Sequence, residues 1–273
     1  MIVRTSFILS MFLVSLLFIA NVALAKDNQV IDINLPKTGE GRDVYFVSLL
    51  SKALNNIGYT ANINYVGDIS YQREIKYLKT GNLTLTWRLQ TKERDRNFER
   101  IDVPLTNGLI GSRVLLIPTG KQEQYTGLSS IEQFRDSGLV GGLHKHWLDA
   151  QVWDHNDLPF IAITGPYMKL FKLVASKNRG IDYFSRSVIE VMGEVGLVHG
   201  LKIEENLLFK YDVDFYYYLG NINPDIKSIL RKAVINAESS GLRDELIENH
   251  WGYLTNKLSL DSRIEIKLVT PTD

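Results

Sequence analysis

The chain has 273 residues, of which 45% are hydrophobic, with 31 basic residues, 31 acidic residues and no cysteine. This balance of charge gives no sign of a surface for nucleic acid or an anionic membrane. The lack of cysteine excludes disulfides, thiol catalysis and zinc sites built from cysteine. The stability of the fold must therefore come from its hydrophobic core.

The N-terminus has the composition of a secretory signal peptide. A basic start at Arg4 is followed by an apolar run over residues 7–20 and by the small-residue exit Ala23-Leu24-Ala25. We expect cleavage after Ala25 and export to the periplasm; a retained membrane anchor is the alternative, although the apolar run is short for a span. The remaining 248 residues carry 30 basic and 31 acidic side chains, because only Arg4 is lost.

The first part of the mature chain predicts alternating strands and helices. Alternation over residues 30–35 predicts a strand that ends at Pro36, and residues 59–66 and 83–89 predict two more strands. The helical spacing of apolar residues over 43–57 and the amphipathic stretch 69–78 predict the intervening helices. The order βαβαβ indicates an α/β unit with a mainly parallel sheet.

Residues 83–118 contain a cluster of arginines beside two predicted strand ends. The five are Arg88, Arg94, Arg96, Arg100 and Arg113. A guanidinium offers a fixed, permanently charged fork that suits a carboxylate or phosphate, so this segment is a candidate anion site. Acidic residues are interleaved with the arginines, and a solvated, self-neutralising face is the alternative.

The pattern begins again in a second unit. Strands are predicted at residues 109–118, 139–143, 158–164 and 181–184, and helices at 129–134, 147–153, 166–177 and 187–198. A long apolar segment, 206–219, is predicted to return to the first unit as a strand, and helices follow at 223–237 and 242–254. The chain therefore crosses twice between units.

Two crossings predict a hinged pair of lobes with a cleft between them. The first lobe is predicted to comprise residues 26–117 and 212–273, and the second residues 118–211, after a signal peptide at 1–25. The hinges are expected near residues 116–119 and 209–214.

Several short patterns, in this order, carry a resemblance to a known family. They are Thr91-x-x-Arg94 after a strand, Gly138-Leu139-Val140-Gly141 before a helix, the segment 180–184, and Pro224 followed by Gly241-Leu242. Over nearly all of the mature chain, the sequence resembles a divergent member of the periplasmic solute-binding proteins of family 3, the amino-acid-binding type. The resemblance implies the type II periplasmic-binding fold: two α/β lobes, each a mainly parallel sheet flanked by helices, with two hinge strands. It also implies no cofactor, no enzymatic activity, a monomer, and an ABC permease as partner.

The resemblance implies a binding site between the lobes. Arg94 is the position that binds a ligand carboxylate in the family, and Arg186 is predicted as a second clamp from the other lobe. Trp87 could stack on a ligand, and Arg42, Tyr45 and His144 are supporting candidates by their loop or strand-end positions.

One position departs from the family pattern. The family places an aspartate for the ligand's ammonium group where this chain has Ser187, so an ammonium finds no carboxylate unless Asp182 or Glu190 serves. With Arg186 beside Ser187, this segment is better suited to a ligand that is negatively charged at both ends, or to one that is not an amino acid at all. The predicted ligand is therefore small and polar, and either anionic or amino-acid-like.

Three other functions compete with transport. An enzyme is not favoured, because the chain has no Gly-x-Ser-x-Gly elbow and no recognisable nucleophile motif. Metal capture would use His144 and His146, with Asp149 and His155 nearby, although no known ligand spacing accompanies them and no metal is predicted. A periplasmic sensor lobe that signals to a membrane receptor would use the same cleft and stays open as the alternative.

Overall fold

The structure is a computed structural model that describes residues 29–37, 43–176 and 180–271. The predicted signal peptide, residues 1–25, lies outside the described residues and stays a prediction. Within the described ranges, no helix combines the length and the apolar character that crossing a bilayer requires.

The first lobe begins with a βαβ unit. Strands β1 (Gln29–Pro36) and β2 (Tyr59–Val66) pair in parallel, from Gln29 opposite Tyr59 to Pro36 opposite Val66. Helix α1 (Val44–Asn56) connects them and buries Leu49, Leu50, Ala53 and Leu54, which recur at the spacing of one helix face. The predicted bounds of these three elements are confirmed to within a residue or two.

A second sheet completes the first lobe. Strand β3 (Leu85–Leu89) pairs antiparallel with β11 (Phe215–Leu219), which also pairs with β4 (Glu99–Arg100). Helices α2 (Tyr71–Thr80) and α3 (Lys92–Asn97) flank β3 in sequence. Near the C-terminus, α8 (Pro224–Ser239) and α9 (Leu242–Trp251) pack on α1. Segments before and after the second lobe in sequence therefore build this lobe.

The second lobe is organised around strand β5 (Ser112–Pro118), in which every residue is buried. It pairs antiparallel with β8 (Phe184–Ser187), β9 (Leu201–Ile203) and β10 (Leu207–Lys210). Strand β12 (Ile264–Lys267) lies parallel to β10, and β6 (Gly141–His144) lies parallel to β7 (Phe160–Ile163). The neighbouring helices are α4 (Ile131–Asp136), α5 (Leu148–His155), α6 (Met168–Ala175) and α7 (Val188–Val191). Helix α10 (Tyr253–Lys257) precedes β12 in sequence and contacts α9 of the first lobe.

The two crossings between the lobes are tied together by one carboxylate. Asp214 is buried and accepts hydrogen bonds from Thr106 N (2.8 Å), Thr106 Oγ1 (2.9 Å), Gly108 N (2.6 Å) and Phe215 N (2.7 Å).

The two crossings also approach each other closely at Gly111. A Cβ at this position would lie 2.2 Å from the carbonyl oxygen of Tyr211, so only glycine permits this close approach.

The strand pairing corrects the predicted lobe bounds and one hinge. Leu116, predicted to begin the first hinge, pairs with Phe184 and with Ile203 inside the second-lobe sheet. The predicted first lobe includes residues 264–271, but in the structure β12 pairs with β10, and Asn156 hydrogen-bonds both Val269 N and Val269 O. The crossings lie instead at residues 106–111 and 211–214, because the Asp214 turn divides the apolar run 206–219 into two strands in different sheets.

The predicted elements around residue 187 also need correction. The predicted strand 181–184 lies at 184–187, and the predicted helix 187–198 ends at Val191. Among the described residues, three strand pairs are parallel. Strands β5 and β11, which directly follow the two crossings, pair antiparallel with their neighbours.

Candidate functional site

A cavity of about 410 Å³ lies between the two lobes. The first lobe contributes the end of β3, the start of α3 and the first residue of β11, and the second contributes β5, the start of α5, and β8 with α7. The lining residues are Arg88, Leu89, Gln90, Thr91, Arg94 and Phe215 from the first lobe, and Ile110, Arg113, His146, Trp147, Leu148, Asp149, Gln151, Tyr167, Arg186, Glu190 and Glu194 from the second.

Arg94 is held at the cavity by the local structure of α3. Thr91 caps this helix by accepting a hydrogen bond from Arg94 N at 3.2 Å, and Nη1 of Arg94 donates to the carbonyl oxygen of Leu89 at 2.7 Å. Its Nε is buried and has no hydrogen-bond partner among the described residues, and Arg94 forms no ion pair with them. The guanidinium charge is therefore available to a ligand.

Arg88 lines the same cavity, but its charge is already matched. Glu74, which is buried, accepts from Arg88 Nε at 2.9 Å, forms a second contact with Arg88 Nη2, and accepts from Thr86 Oγ1 at 2.9 Å. Arg88 and Glu74 together add no net charge to this wall.

On the second-lobe wall, Arg113 is buried in a network of polar groups. Its Nη2 donates to Asp149 Oδ2 at 2.8 Å and its Nε to the Tyr211 hydroxyl oxygen at 2.7 Å, and that hydroxyl donates to Asp149 Oδ1 at 3.1 Å. Burial alone would lower the pKa of Arg113, but Asp149, Tyr211 and Glu190 together outweigh it and raise the pKa above its ordinary value. Burial raises the pKa of Tyr211, so the phenol stays neutral.

Arg186 is also buried and paired. Its Nε and Nη2 donate to the two oxygens of Glu194 at 2.6 and 2.7 Å, and Nη2 lies 3.1 Å from Glu190 Oε2. Its guanidinium carbon is 5.1 Å from the centroid of the Trp147 ring. Burial lowers the pKa of Arg186, but Glu190 and Glu194 raise it to a net value above the ordinary one.

Of the residues predicted from sequence, the structure brings Arg94 and Arg186 to one cavity. Arg42 lies outside the described residues. Trp87 is only 6% exposed and stacks on Phe46 at 5.2 Å, so it is a core residue and the predicted stacking on a ligand is wrong. The reason is strand alternation, which sends Trp87 to the face opposite Arg88.

Tyr45 and His144 are likewise outside the cavity. Tyr45 is buried, donates its hydroxyl hydrogen to Leu105 O at 2.6 Å, and packs 4.3 Å from Trp251. His144 Nε2 lies 3.1 Å from Gly165 O, and His146 lines the cavity in its place. No group of three acidic or histidine side chains within the described ranges is arranged to hold a metal ion.

Sequence reasoning missed most of the second-lobe wall. The sequence identifies Arg113 only as one of five clustered arginines, and Glu190 only as a possible ammonium acceptor. The signal that could have found this wall is the spacing of Arg186, Glu190 and Glu194 at intervals of four, which favours ion pairs, although Arg186 lies on β8 and Glu194 lies beyond the end of α7. The aromatic residues Trp147, Tyr167 and Phe215 gave no comparable signal.

The two lobes, the two crossings and the cleft between them define the type II periplasmic-binding fold, and solved structures confirm this fold. A probable amino-acid ABC transporter extracellular-binding protein of Bacillus subtilis is 12% identical and matches with a TM-score of 0.60 over 82% of this chain and 99% of its own. An amino acid ABC transporter substrate-binding protein of Streptococcus pneumoniae bound to L-arginine is 15% identical, with a TM-score of 0.52 over 84% and 97%. The second substrate-binding domain of Lactococcus lactis GlnP, in its open conformation, is 12% identical, with a TM-score of 0.54 over 82% and 96%. No protein-family model and no curated protein sequence matches the chain.

Proposed function

We propose that this protein is an exported solute-binding protein that captures a small, amino-acid-like solute in the interlobe cleft for an ABC-type transporter. The observation that carries this proposal is Arg94, a guanidinium with a buried, unpartnered nitrogen in a cavity of about 410 Å³ between two lobes. Ligand pockets of about 300–1,000 Å³ typically enclose small molecules with a few oriented polar groups.

Arg94 supports an anionic group on the solute. Leaving a buried donor without a partner is unfavourable by about 1–3 kcal/mol, and a carboxylate would satisfy it. A carboxylate also matches the two-nitrogen fork of a guanidinium. Because Glu74 already neutralises Arg88, Arg94 is the cation of the first-lobe wall that a ligand would meet.

The position of the cavity supports capture by closure. Its lining comes from both lobes, so a bound solute contacts both and stabilises the arrangement in which they are close together. The crossings at residues 106–111 and 211–214 are short and joined through Asp214, which suits a hinge. The N-terminal segment supports export, and the fold supports delivery of the solute to a membrane permease by a monomer.

A thermal-shift screen tests the proposal directly. The purified protein is heated with single L-amino acids, dicarboxylates, small peptides and divalent metal salts. A ligand at about 100 times its Kd adds roughly 2.7 kcal/mol of stability, which is a shift of about 5 to 11 °C for a protein of this size. No shift with any compound, from a protein that unfolds cooperatively, would contradict solute capture.

Replacing Arg94 by alanine should remove binding and leave the fold intact. We expect at least about a hundredfold rise in Kd for the compound found in the screen, because the solute's anion loses its charged partner. The free energy of unfolding should change by less than about 1 kcal/mol, since Arg94 has no ion pair to lose. Arg96→Ala, an exposed arginine on the same helix, is the matched control and should bind as wild type. Equal binding by the Arg94 variant would show that the anion site lies elsewhere.

A further inference from the structure

We infer that Tyr211 is a positioning residue whose hydroxyl group couples the hinge to the charged wall of the second lobe. This inference rests on the proposed function, because it concerns how the hinge and the cavity wall move together during capture. Its test begins without any solute, so the coupling and solute capture can fail separately.

The main chain of Tyr211 belongs to the hinge. It begins the second crossing directly after β10, and its N–H donates to the carbonyl oxygen of Gly111, in the first crossing, at 3.3 Å. The carbonyl oxygen of Tyr211 occupies the place that a side chain on Gly111 would need. The two crossings therefore touch at Tyr211, and a rotation of one lobe against the other has to be absorbed at this residue or next to it.

The side chain of Tyr211 reaches the second-lobe wall. Its hydroxyl oxygen accepts from Arg113 Nε at 2.7 Å and donates to Asp149 Oδ1 at 3.1 Å, and Arg113 Nη2 closes the triangle by donating to Asp149 Oδ2 at 2.8 Å. These partners are 98 and 62 residues away from Tyr211 in sequence. Both line the cavity, and Tyr211 lies behind them. One side chain thus joins a hinge residue to two charged groups of the cavity wall.

The hydroxyl of Tyr211 uses both its donor and its acceptor capacity in this triangle. Tyr211 is buried, and its ring centroid lies 5.4 Å from the guanidinium carbon of Arg113 and 6.5 Å from the ring centroid of Trp153. Burial holds the pKa of the phenol above its ordinary value, so the hydrogen that it donates to Asp149 is retained at neutral pH. A closed triangle of hydrogen bonds between buried groups fixes the three side chains relative to one another.

The triangle connects two elements that carry the wall. Asp149 lies in the first turn of α5, next to Trp147 and Leu148, which also line the cavity, and Arg113 lies on β5 directly after the first crossing. A displacement of the Tyr211 main chain during opening is therefore transmitted to both elements by the hydroxyl. Conversely, a solute that holds these elements in place restrains the hinge. The variant Tyr211→Phe keeps the ring and its packing but removes this link.

The test uses the absence of cysteine from the chain to place two spin labels. Lys76→Cys in α2 and Lys169→Cys in α6 put one label on an exposed helical position of each lobe, and double electron–electron resonance measures the distribution of distances between them. The distribution is recorded without solute for the labelled wild type, for Tyr211→Phe and for the control Tyr125→Phe. Tyr125 is another buried tyrosine of the second lobe, and its hydroxyl donates to Asp182 O at 3.3 Å, away from the cavity and from both crossings.

We expect the distribution of Tyr211→Phe to be wider than that of wild type by about half or more, because the hinge residue is then held to the second lobe without its hydrogen bonds. Tyr125→Phe should leave the width unchanged, although both variants lose a buried hydrogen bond and should unfold at a temperature lower by a few degrees. For a compound found in the thermal-shift screen, Tyr211→Phe should raise the Kd by about tenfold, whereas Tyr125→Phe should keep it within about threefold of wild type.

Equal widths for Tyr211→Phe and Tyr125→Phe would overturn the inference, because a hydroxyl with only a structural role contributes to stability and leaves the hinge unchanged. If Tyr211→Phe did not fold, Asp149→Asn, which breaks the same triangle at another corner, would take its place in the same comparison. A widened distribution with no binding by any compound in the screen would remove solute capture and leave the coupling established.

Discussion

Asp149 neutralises a buried arginine, and removing its charge should destabilise the protein strongly. In the variant Asp149→Asn, Arg113 keeps its full charge and its burial, because the guanidinium does not deprotonate. Breaking one side of a buried ion pair typically destabilises by about 3–5 kcal/mol. We expect about 3 kcal/mol, the lower end of this range, because Tyr211 still accepts from Nε and Glu190 lies 3.5 Å from Nη1.

Urea denaturation followed by circular dichroism measures the free energy of unfolding, and thermal denaturation followed in the same way measures the Tm. A loss of about 3 kcal/mol corresponds to a fall in Tm of about 6 to 12 °C for a protein of this size. The control is Glu205→Gln, which removes one partner of an exposed pair with Lys202 and should change the free energy of unfolding by less than about 1 kcal/mol. If the Asp149 variant lost no more stability than the control, the argument from burial would be refuted.

Two further predictions concern residues outside the cavity. Trp87→Ala should lower the free energy of unfolding by about 3–5 kcal/mol, because Trp87 is 6% exposed and packs on Phe46. At a temperature where both proteins are folded, the variant should bind the solute with a Kd within a few-fold of the wild-type value. A selective loss of binding would instead place Trp87 in the binding site. Burial outweighs four hydrogen bonds and raises the pKa of Asp214 above its ordinary value, so the folded state binds this proton more tightly than the unfolded chain does. Its contribution to stability is therefore fully present below the unfolded pKa of about 3.8 and is lost as the pH rises through the higher folded value. The excess stability of wild type over Asp214→Asn should accordingly grow as the pH falls from 7 towards 4, and a difference that stays constant or shrinks would contradict the assignment.

Much of the fold could be predicted because local patterns determine it. The bounds of β2 match the prediction, and α1 and β1 match to within a residue, since alternating and helical spacing are properties of adjacent residues. The start of α8 is also local, with Asn223 as the cap and Pro224 as the first helical residue.

The lobe bounds could not be predicted in the same way. The continuous apolar run over residues 206–219 predicts a single strand. In the structure the chain turns at residues 211–214, so that β10 lies in the second-lobe sheet and β11 in a first-lobe sheet. That turn depends on Asp214 meeting Thr106, which is 108 residues away. The lobe to which strand β12 belongs could not be predicted for the same reason, because its pairing with β10 joins segments that no local pattern links.

The sequence alone determined the α/β class and the order of elements in the first lobe, because both follow from local patterns. Arg94 was a candidate through the resemblance of Thr91-x-x-Arg94 to a family pattern. Only the tertiary structure decided which arginines remain unmatched. Arg88 finds Glu74 at a separation of 14 residues, and Arg113 finds Asp149 at 36 and Tyr211 at 98. The charge that a cavity presents to a solute is what is left after such pairs have formed, and pairs between distant segments exist only once the chain has folded.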